Sequence, residues 1–349
     1  MVNNRGKEVV DDEEYHSQPA PKASKWIFQK WRRQPKETSK NASSSTPILN
    51  DEQVRLENPP EDNTEKTYDD LEEIPQQNRK WAIPNEESNK WSQDVVEFYN
   101  NGDAPFCYSI FFKDRKLDDD FWGTLLGYRC NGQLWPMHIE GWVTRMMHFR
   151  NARLRTNGPS GLRWTILPPE FRDILILKES KFAAVYANGT NELYPPWWEV
   201  DYIYIPLCIR NVGDWYLVRI NLQTMELVQY WPNKGYIKDY RSLIHFPTMD
   251  VLPIKFDWLL DEIQYWRKCD GVFIDKRDRH LKVHNVNNDY APKDGGDLGG
   301  DTGVLACMLM QQLVQNKNLN VEDDFKNRCM KYRRYMAEQY YNWRFIPRG

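Results

Sequence analysis

Residues 304–314 read VLACMLMQQLV, apolar on nearly every side of a helix, and such a helix persists in water only inside a protein core. It is too short to cross a bilayer, which takes about 20 apolar residues. The rest of the chain must therefore wrap it. Gly300, Asp301, Thr302 and Gly303 stand directly ahead of the run. The N-terminus of a buried helix carries unpaired backbone N–H groups and the positive end of the helix dipole, a field that lowers a thiol pKa and suits thiolate chemistry. Thr302 occupies the first turn, and an alcohol gains almost nothing from the same field.

The material for the wrapping lies upstream. Residues 200–209 (VDYIYIPLCI) alternate like a strand, and 214–220 (DWYLVRI) and 226–230 (ELVQY) read as two more, joined by a turn over 221–225. Together they predict a small antiparallel meander. Within 134–150 (LWPMHIEGWVTRMMHFR), Ile139, Trp142, Val143 and Met146 recur at helical spacing and are expected in the core. Residues 322–344 predict a closing helix with Phe325, Cys329, Met336, Tyr340 and Trp343 near one face and Lys331, Arg333 and Arg334 on the other. Strands and helices in this order define an α+β domain.

Four short motifs then fall in sequence: Ile205-Pro206, Asp214-Trp215, Tyr230-Trp231-Pro232 and Asp301-Thr302-Gly303. Their order resembles the Ulp1-like cysteine peptidases, the SUMO and ubiquitin-like protease family, and in particular the divergent plant members found in transposon-derived genes. The resemblance extends over about residues 118–345. It implies a papain-like core, a central mixed sheet packed by helices, and a chemistry of peptide or isopeptide hydrolysis after Gly-Gly. By that resemblance Asp214 stands at the general base, Trp231 at the residue that orients it, and Thr302 at the nucleophile. Asp214 and Trp231 are 17 positions apart, close to the family's spacing. The oxyanion Gln position falls on Gly296, and the alternative alignment to Pro292, Lys293 and Asp294 supplies no Gln either. Trp215 corresponds to the indole that lines the tunnel for a Gly-Gly tail. The family's leading Trp falls on Gln133, with Trp135 displaced by two.

None of the substitutes performs its predecessor's task. A base must accept a proton near pH 7, which an imidazole does and a carboxylate of reference pKa ~3.9 does poorly. Trp offers only a donor where an acceptor is required. Thr needs an amine or comparable base beside it, and none is visible. The expectation is a pseudoprotease that binds a protein partner of ubiquitin-like type, or a transposon-derived remnant. An alternative is an active cysteine peptidase with a displaced nucleophile: Cys269-Asp270-Gly271 looks like the nucleophile motif with two residues transposed, although DKRDRHLK after it is too charged for a buried helix. His245, His280 and His284 are imaginable replacement bases, but each sits in a polar or charged stretch.

Composition divides the chain. Hydrophobic residues (40%) and aromatic residues (14%) are concentrated after about residue 90, so a polar, disordered tail (1–90) is expected ahead of one domain (91–349) with an insertion at 255–292. Residues 22–40 are basic around Trp26, Phe28 and Trp31, a nuclear-import signal, a partner-binding helix or a solvated stretch. A net charge of -3 gives no whole-protein footprint for nucleic acid, so nucleic-acid contact is expected at most through the basic 22–40 segment. Six scattered cysteines without CxxC or a His cluster support neither disulfides nor zinc, and no cofactor is expected. The first residues lack an apolar signal core and no run approaches a membrane span, so a monomer in nucleus or cytosol is expected.

Overall fold

Alternation decides the centre of the fold. In a computed structural model, Tyr202–Ile209 forms β4 and Asp214–Asn221 forms β5, antiparallel, with Ile203 opposite Ile220, Ile205 opposite Val218 and Leu207 opposite Tyr216. The structure describes Ile83 and residues 89–101, 107–110, 112–158, 161–209, 213–232, 246–269, 279–284, 299–317, 319 and 325–345. All belong to one compact unit, Glu73–Gly349; a second unit, Met1–Glu72, lies outside the described residues, as does the basic segment 22–40. Glu226–Tyr230 forms β6 against β5. The turn between them is held by the Asn221 side chain, which accepts from the Gln223 and Thr224 N–H groups, the short-range bond that makes Asn a turn residue.

Two short strands extend the meander into a mixed sheet of order β3-β4-β5-β6-β7. Trp164–Ile166 (β3) runs parallel to β4, and Lys282–His284 (β7) runs parallel to β6. Arg150 closes the β3 edge by donating from Nε to the Trp164 carbonyl (2.6 Å) and from Nη2 to the Leu162 carbonyl (2.8 Å). A second sheet, β2-β1-β8, is built from Cys107–Ser109 (β1), Phe112–Leu117 (β2) and Arg344–Phe345 (β8).

The helices follow from the same patterning. Gln93–Asn100 is α1. Asp118 caps Asp119–Leu125 (α2) by accepting from the Phe121 N–H at 2.9 Å. Pro136–Asn157 (α3) buries Ile139, Trp142, Val143 and Met146, the predicted stripe. Phe171–Leu177 (α4), Ser180–Ala184 (α5) and Phe246–Glu262 (α6) pack on one another, with Trp197 stacked on Phe256 at 5.0 Å. Helix α6 starts upstream of residue 255, where the insertion was expected to begin. Within it Leu252, Phe256, Leu259 and Ile263 share the buried side, and Trp258 falls on the opposite side, 55% exposed. Tyr265–Lys268 (α7) follows.

Thr302–Val314 (α8) has Thr302 in its first turn, as expected, and everything from Thr302 to Met310 is buried. It packs against β5, α3 and Phe325–Asn342 (α9). Helix α9 buries Cys329, Met336 and Tyr340, and here the sequence reading needs correcting. Arg333 was placed on the solvated face but is 3% exposed. Steps of four, three and four residues put 329, 333, 336 and 340 on one side of the helix. Lys331 and Arg334 remain outside that stripe.

Candidate functional site

The site is assembled where β5 begins and α8 begins. Gly213 turns the chain into β5 with φ +74° and donates its N–H to the Ile209 carbonyl at 2.8 Å. A Cβ at this glycine would meet the Gln133 side chain at 2.6 Å, so the half-buried Gln133 amide lies against the entrance to β5. Sequence reasoning treated Gln133 only as the place of a missing Trp. A lone Gln in a loop carries no spacing that would have announced this contact.

Asp214 is the next residue, and Thr302 meets it. The Thr302 hydroxyl donates to Asp214 Oδ1 at 3.1 Å and accepts from the Trp215 backbone N–H at 3.2 Å. Trp215 is fixed in turn by its indole Nε1–H, which donates to the Leu134 carbonyl at 2.7 Å. A threonine hydroxyl has one proton to give, and here that proton is committed to a carboxylate. The result is a clasp between β5 and α8, formed by groups 88 positions apart in the chain.

Both glycines of the 300–303 motif have steric causes. A Cβ at Gly300 would overlap the Asn131 carbonyl oxygen and the Gln133 nitrogen, because the 3-10 turn Cys130–Gly132 passes directly over it. At Gly303 a Cβ would come within 2.8 Å of Leu134 Cβ and 3.1 Å of Trp215 Cδ1. The clash at Gly300 is with main chain, which cannot step aside. Gly300→Ala is therefore expected to cost about 3 kcal/mol, read as a drop in the urea midpoint; a loss under about 0.5 kcal/mol would show that the loop gives way.

Arg333 holds the same junction from below. Its guanidinium donates from Nε (3.1 Å) and Nη2 (2.7 Å) to Asp301 Oδ1, from Nη1 to the carbonyls of Thr124 (3.2 Å) and Leu125 (3.0 Å), and from Nη2 to those of Gly132 (2.7 Å) and Gly300 (3.2 Å). The carboxylate just before Thr302 is thus part of an ion pair rather than a cap on α8, whose N-cap side chain makes no capping bond.

The remaining site residues are disposed as follows. Trp231 is buried just beyond β6, its indole donating to Gln229 Oε1 at 3.2 Å and its ring lying flat on Tyr216 at 4.4 Å and 5°. Asp214, Trp215, Trp231 and Thr302 are 4%, 1%, 3% and 0% exposed. All four are therefore interior side chains rather than the lining of an open surface cleft. Trp135 is half-buried ahead of α3, and Gly296 and residues 292–294 lie outside the described residues.

Cys269 ends α7, its N–H on the Tyr265 carbonyl at 3.0 Å. Its thiol lies by the Tyr265 hydroxyl and the Arg163–Asp201 ion pair, at the start of β4. Asp214 pairs with Ile209 at the other end of that strand, about 23 Å away for eight residues at ~3.3 Å each. Cys269 and the clasp are not brought together. Burial pushes the Cys107 thiol up to about 11 and the Cys329 thiol up to about 12, and raises that of Cys307 well above the ordinary range. Those three are protonated packing groups. His280 bonds Asp257 (2.8 Å) and His284 lies 3.4 Å from Glu226, both at the surface, while His245 lies outside the described residues. Among the described residues no group of three or more His, Cys, Asp or Glu is placed to hold a metal, and no helix is long and apolar enough to cross a membrane.

The fold and junction define an α+β domain in which a mixed five-stranded sheet abuts the N-terminus of a buried helix. No protein-family model and no curated protein matches the chain. Solved structures similar to it include the yeast C-terminal Ulp1 protease domain in complex with Smt3, the yeast ortholog of SUMO, at 13% identity and TM-score 0.47, covering 72% of this chain and 95% of that one. The SUMO protease Ulp1 with its catalytic cysteine oxidised to a sulfinic acid aligns at 12% identity and TM-score 0.48, covering 75% and 96%.

Proposed function

We propose that this chain is a catalytically inactive Ulp1-like domain that acts by binding a protein partner of ubiquitin-like type. The partner class rests on the order of the four sequence motifs. Inactivity rests on one observation: the hydroxyl at the nucleophile position is 0% exposed and bonded to both Asp214 and the Trp215 N–H. Deprotonating it would require a carboxylate to take a proton from an alcohol, which its basicity does not support. Among the described residues the Thr302 hydroxyl has no imidazole partner that could protonate a leaving amine.

The test is covalent labelling by a SUMO-type probe with a C-terminal electrophile. Wild type is expected to stay unlabelled. Thr302→Cys alone should label weakly, because a thiol without an imidazole stays largely protonated at pH 7. Thr302→Cys with Asp214→His should label faster, since the two side chains already lie within hydrogen-bond reach, and adding Trp231→Asp should raise the rate again if the variant remains folded by thermal unfolding. Without an oxyanion Gln the rate should stay on the order of a hundredfold below an intact site. Rapid labelling of wild type, at Cys269 or any other thiol, would sink the inactive reading in favour of a displaced nucleophile.

A further inference from the structure

Within the central sheet, β5 places a charge among aromatic rings. Arg219 is in register with Tyr204 of β4 and Val228 of β6, and His284 of β7 continues the same row. Residues two positions along a strand share a face of the sheet, so Tyr202 and Tyr230 stand at opposite diagonals from Arg219. Their ring centres lie 5.5 and 5.7 Å from its Cζ. Tyr202, Tyr204 and Tyr230 thus surround one guanidinium on a single sheet face.

No acceptor in the chain answers that guanidinium. Among the described residues Arg219 makes no hydrogen bond and no ion pair, and its Nε is a buried donor without a partner. Tyr204 is 3% exposed, and among the described residues its hydroxyl has no hydrogen-bond partner either, although it lies close enough to Arg219 to feel its charge. Glu226, on the same face of β6, is engaged elsewhere: it accepts from the Thr224 hydroxyl at 3.0 Å and lies 3.4 Å from His284. Folded proteins leave few buried polar groups unpaired. Two of them at one spot mark a place for a group that comes from outside the chain. A guanidinium has only donors, and burial raises the pKa of the Tyr204 hydroxyl, which therefore keeps its proton to donate. The missing partner is an acceptor, and the positive charge makes it an anion.

We propose that Arg219 and Tyr204 form a binding site for a carboxylate. The guanidinium fork matches the two oxygens of a carboxylate, and the Tyr204 hydroxyl donates a further bond. Charge decides between anions: one guanidinium with Glu226 on the same face suits a monoanion, whereas a phosphate dianion would bring a charge that nothing here matches. Small carboxylic acids and the side chain of an acidic residue share this chemistry. Arg219 is five residues along β5 from Asp214, about 17 Å at ~3.3 Å per residue. The site is therefore separate from the Asp214–Thr302 clasp and does not depend on whether Thr302 is inert.

The test is nuclear magnetic resonance on the full chain carrying isotope-labelled arginine, with the Arg219 Nε–H signal identified by its loss in Arg219→Lys. Acetate, and separately N-acetylglutamate N-methylamide, are titrated against chloride at constant ionic strength. A saturable movement of that signal is expected. Binding of both probes supports a site that admits an acidic side chain, and binding of acetate alone supports a site restricted to small acids. Tyr204→Phe removes only the hydroxyl. Because that hydroxyl has no partner in the free chain, the thermal midpoint should not fall, yet the bound probe should be held at least about tenfold more weakly. A tyrosine kept only for packing would leave the affinity unmoved. No saturable shift with either probe up to roughly 100 mM, an unchanged affinity or a lowered midpoint in Tyr204→Phe, or tighter binding of phosphate than of acetate would each overturn the proposal.

Discussion

Replacing Arg333 by Met is expected to lower the unfolding free energy by about 3–5 kcal/mol, the range for breaking a buried charge pair by removing one partner. The side chain is almost wholly buried and places donors on one carboxylate and four main-chain carbonyls. Met fills similar volume but removes the guanidinium from Asp301 and from the carbonyls of Leu125, Gly132 and Gly300, while the Thr124 carbonyl keeps the Gly127 N–H at 3.1 Å; each buried acceptor left unpaired costs about 1–3 kcal/mol. Arg333→Lys should recover only a minor part, since a single ammonium cannot span the carbonyls of α2, the 3-10 turn and Gly300 at once. Urea unfolding checks this, with a lowered midpoint and an unchanged slope as the expected signature. A loss below about 1 kcal/mol would mean that the guanidinium's bonds are replaced by water at little cost.

The second large effect is a loss of stability in mild acid. His138 is fully buried and stacked on Phe121 at 4.2 Å; its Nδ1 accepts the Trp135 N–H at 3.0 Å, which leaves the ring proton on Nε2, 2.9 Å from the Phe121 carbonyl. Burial, aided by the nearby Arg333 charge, lowers its pKa from 6.5 to about 4. Between those two values the unfolded chain holds a proton that the folded chain refuses. The contribution is therefore intact above about pH 6.5 and declines as pH falls toward 4, by about 1.4 kcal/mol per pH unit and about 3 kcal/mol in all. His138→Gln, which cannot titrate, should flatten this acid limb relative to wild type. An equally steep decline in the variant would assign the limb to other groups.

Period-2 alternation made the three meander strands legible, and the all-round apolar run made α8 legible, with Thr302 in its first turn. Asp214 and Thr302, paired only by motif order, lie in hydrogen-bond contact. The rest was hidden for physical reasons. Strands β3, β7 and β8 are two or three residues long, too short for periodicity to register. Arg333 is hidden by chemistry, because a charge is assigned to solvent unless its partners are known, and its partners are mostly carbonyls far away in sequence. Solvent exposure at Trp258 was masked by residues that are apolar on both sides of α6. Trp231 is buried flat on Tyr216, an orientation that its place in the motif order does not state.

The clasp and the Arg333 contacts set when, during synthesis, this domain can complete itself. Thr302 closes on a residue 88 positions earlier, and Arg333 reaches back 209 positions to Thr124. Contacts so distant form late and make folding slow. A ribosome that has finished β4, β5 and β6 has released an apolar sheet whose covering helices α8 and α9 are still unmade. For that interval the nascent meander depends on chaperones or on its own solubility, and truncations that end before α9 should accumulate as aggregates rather than as a smaller folded domain.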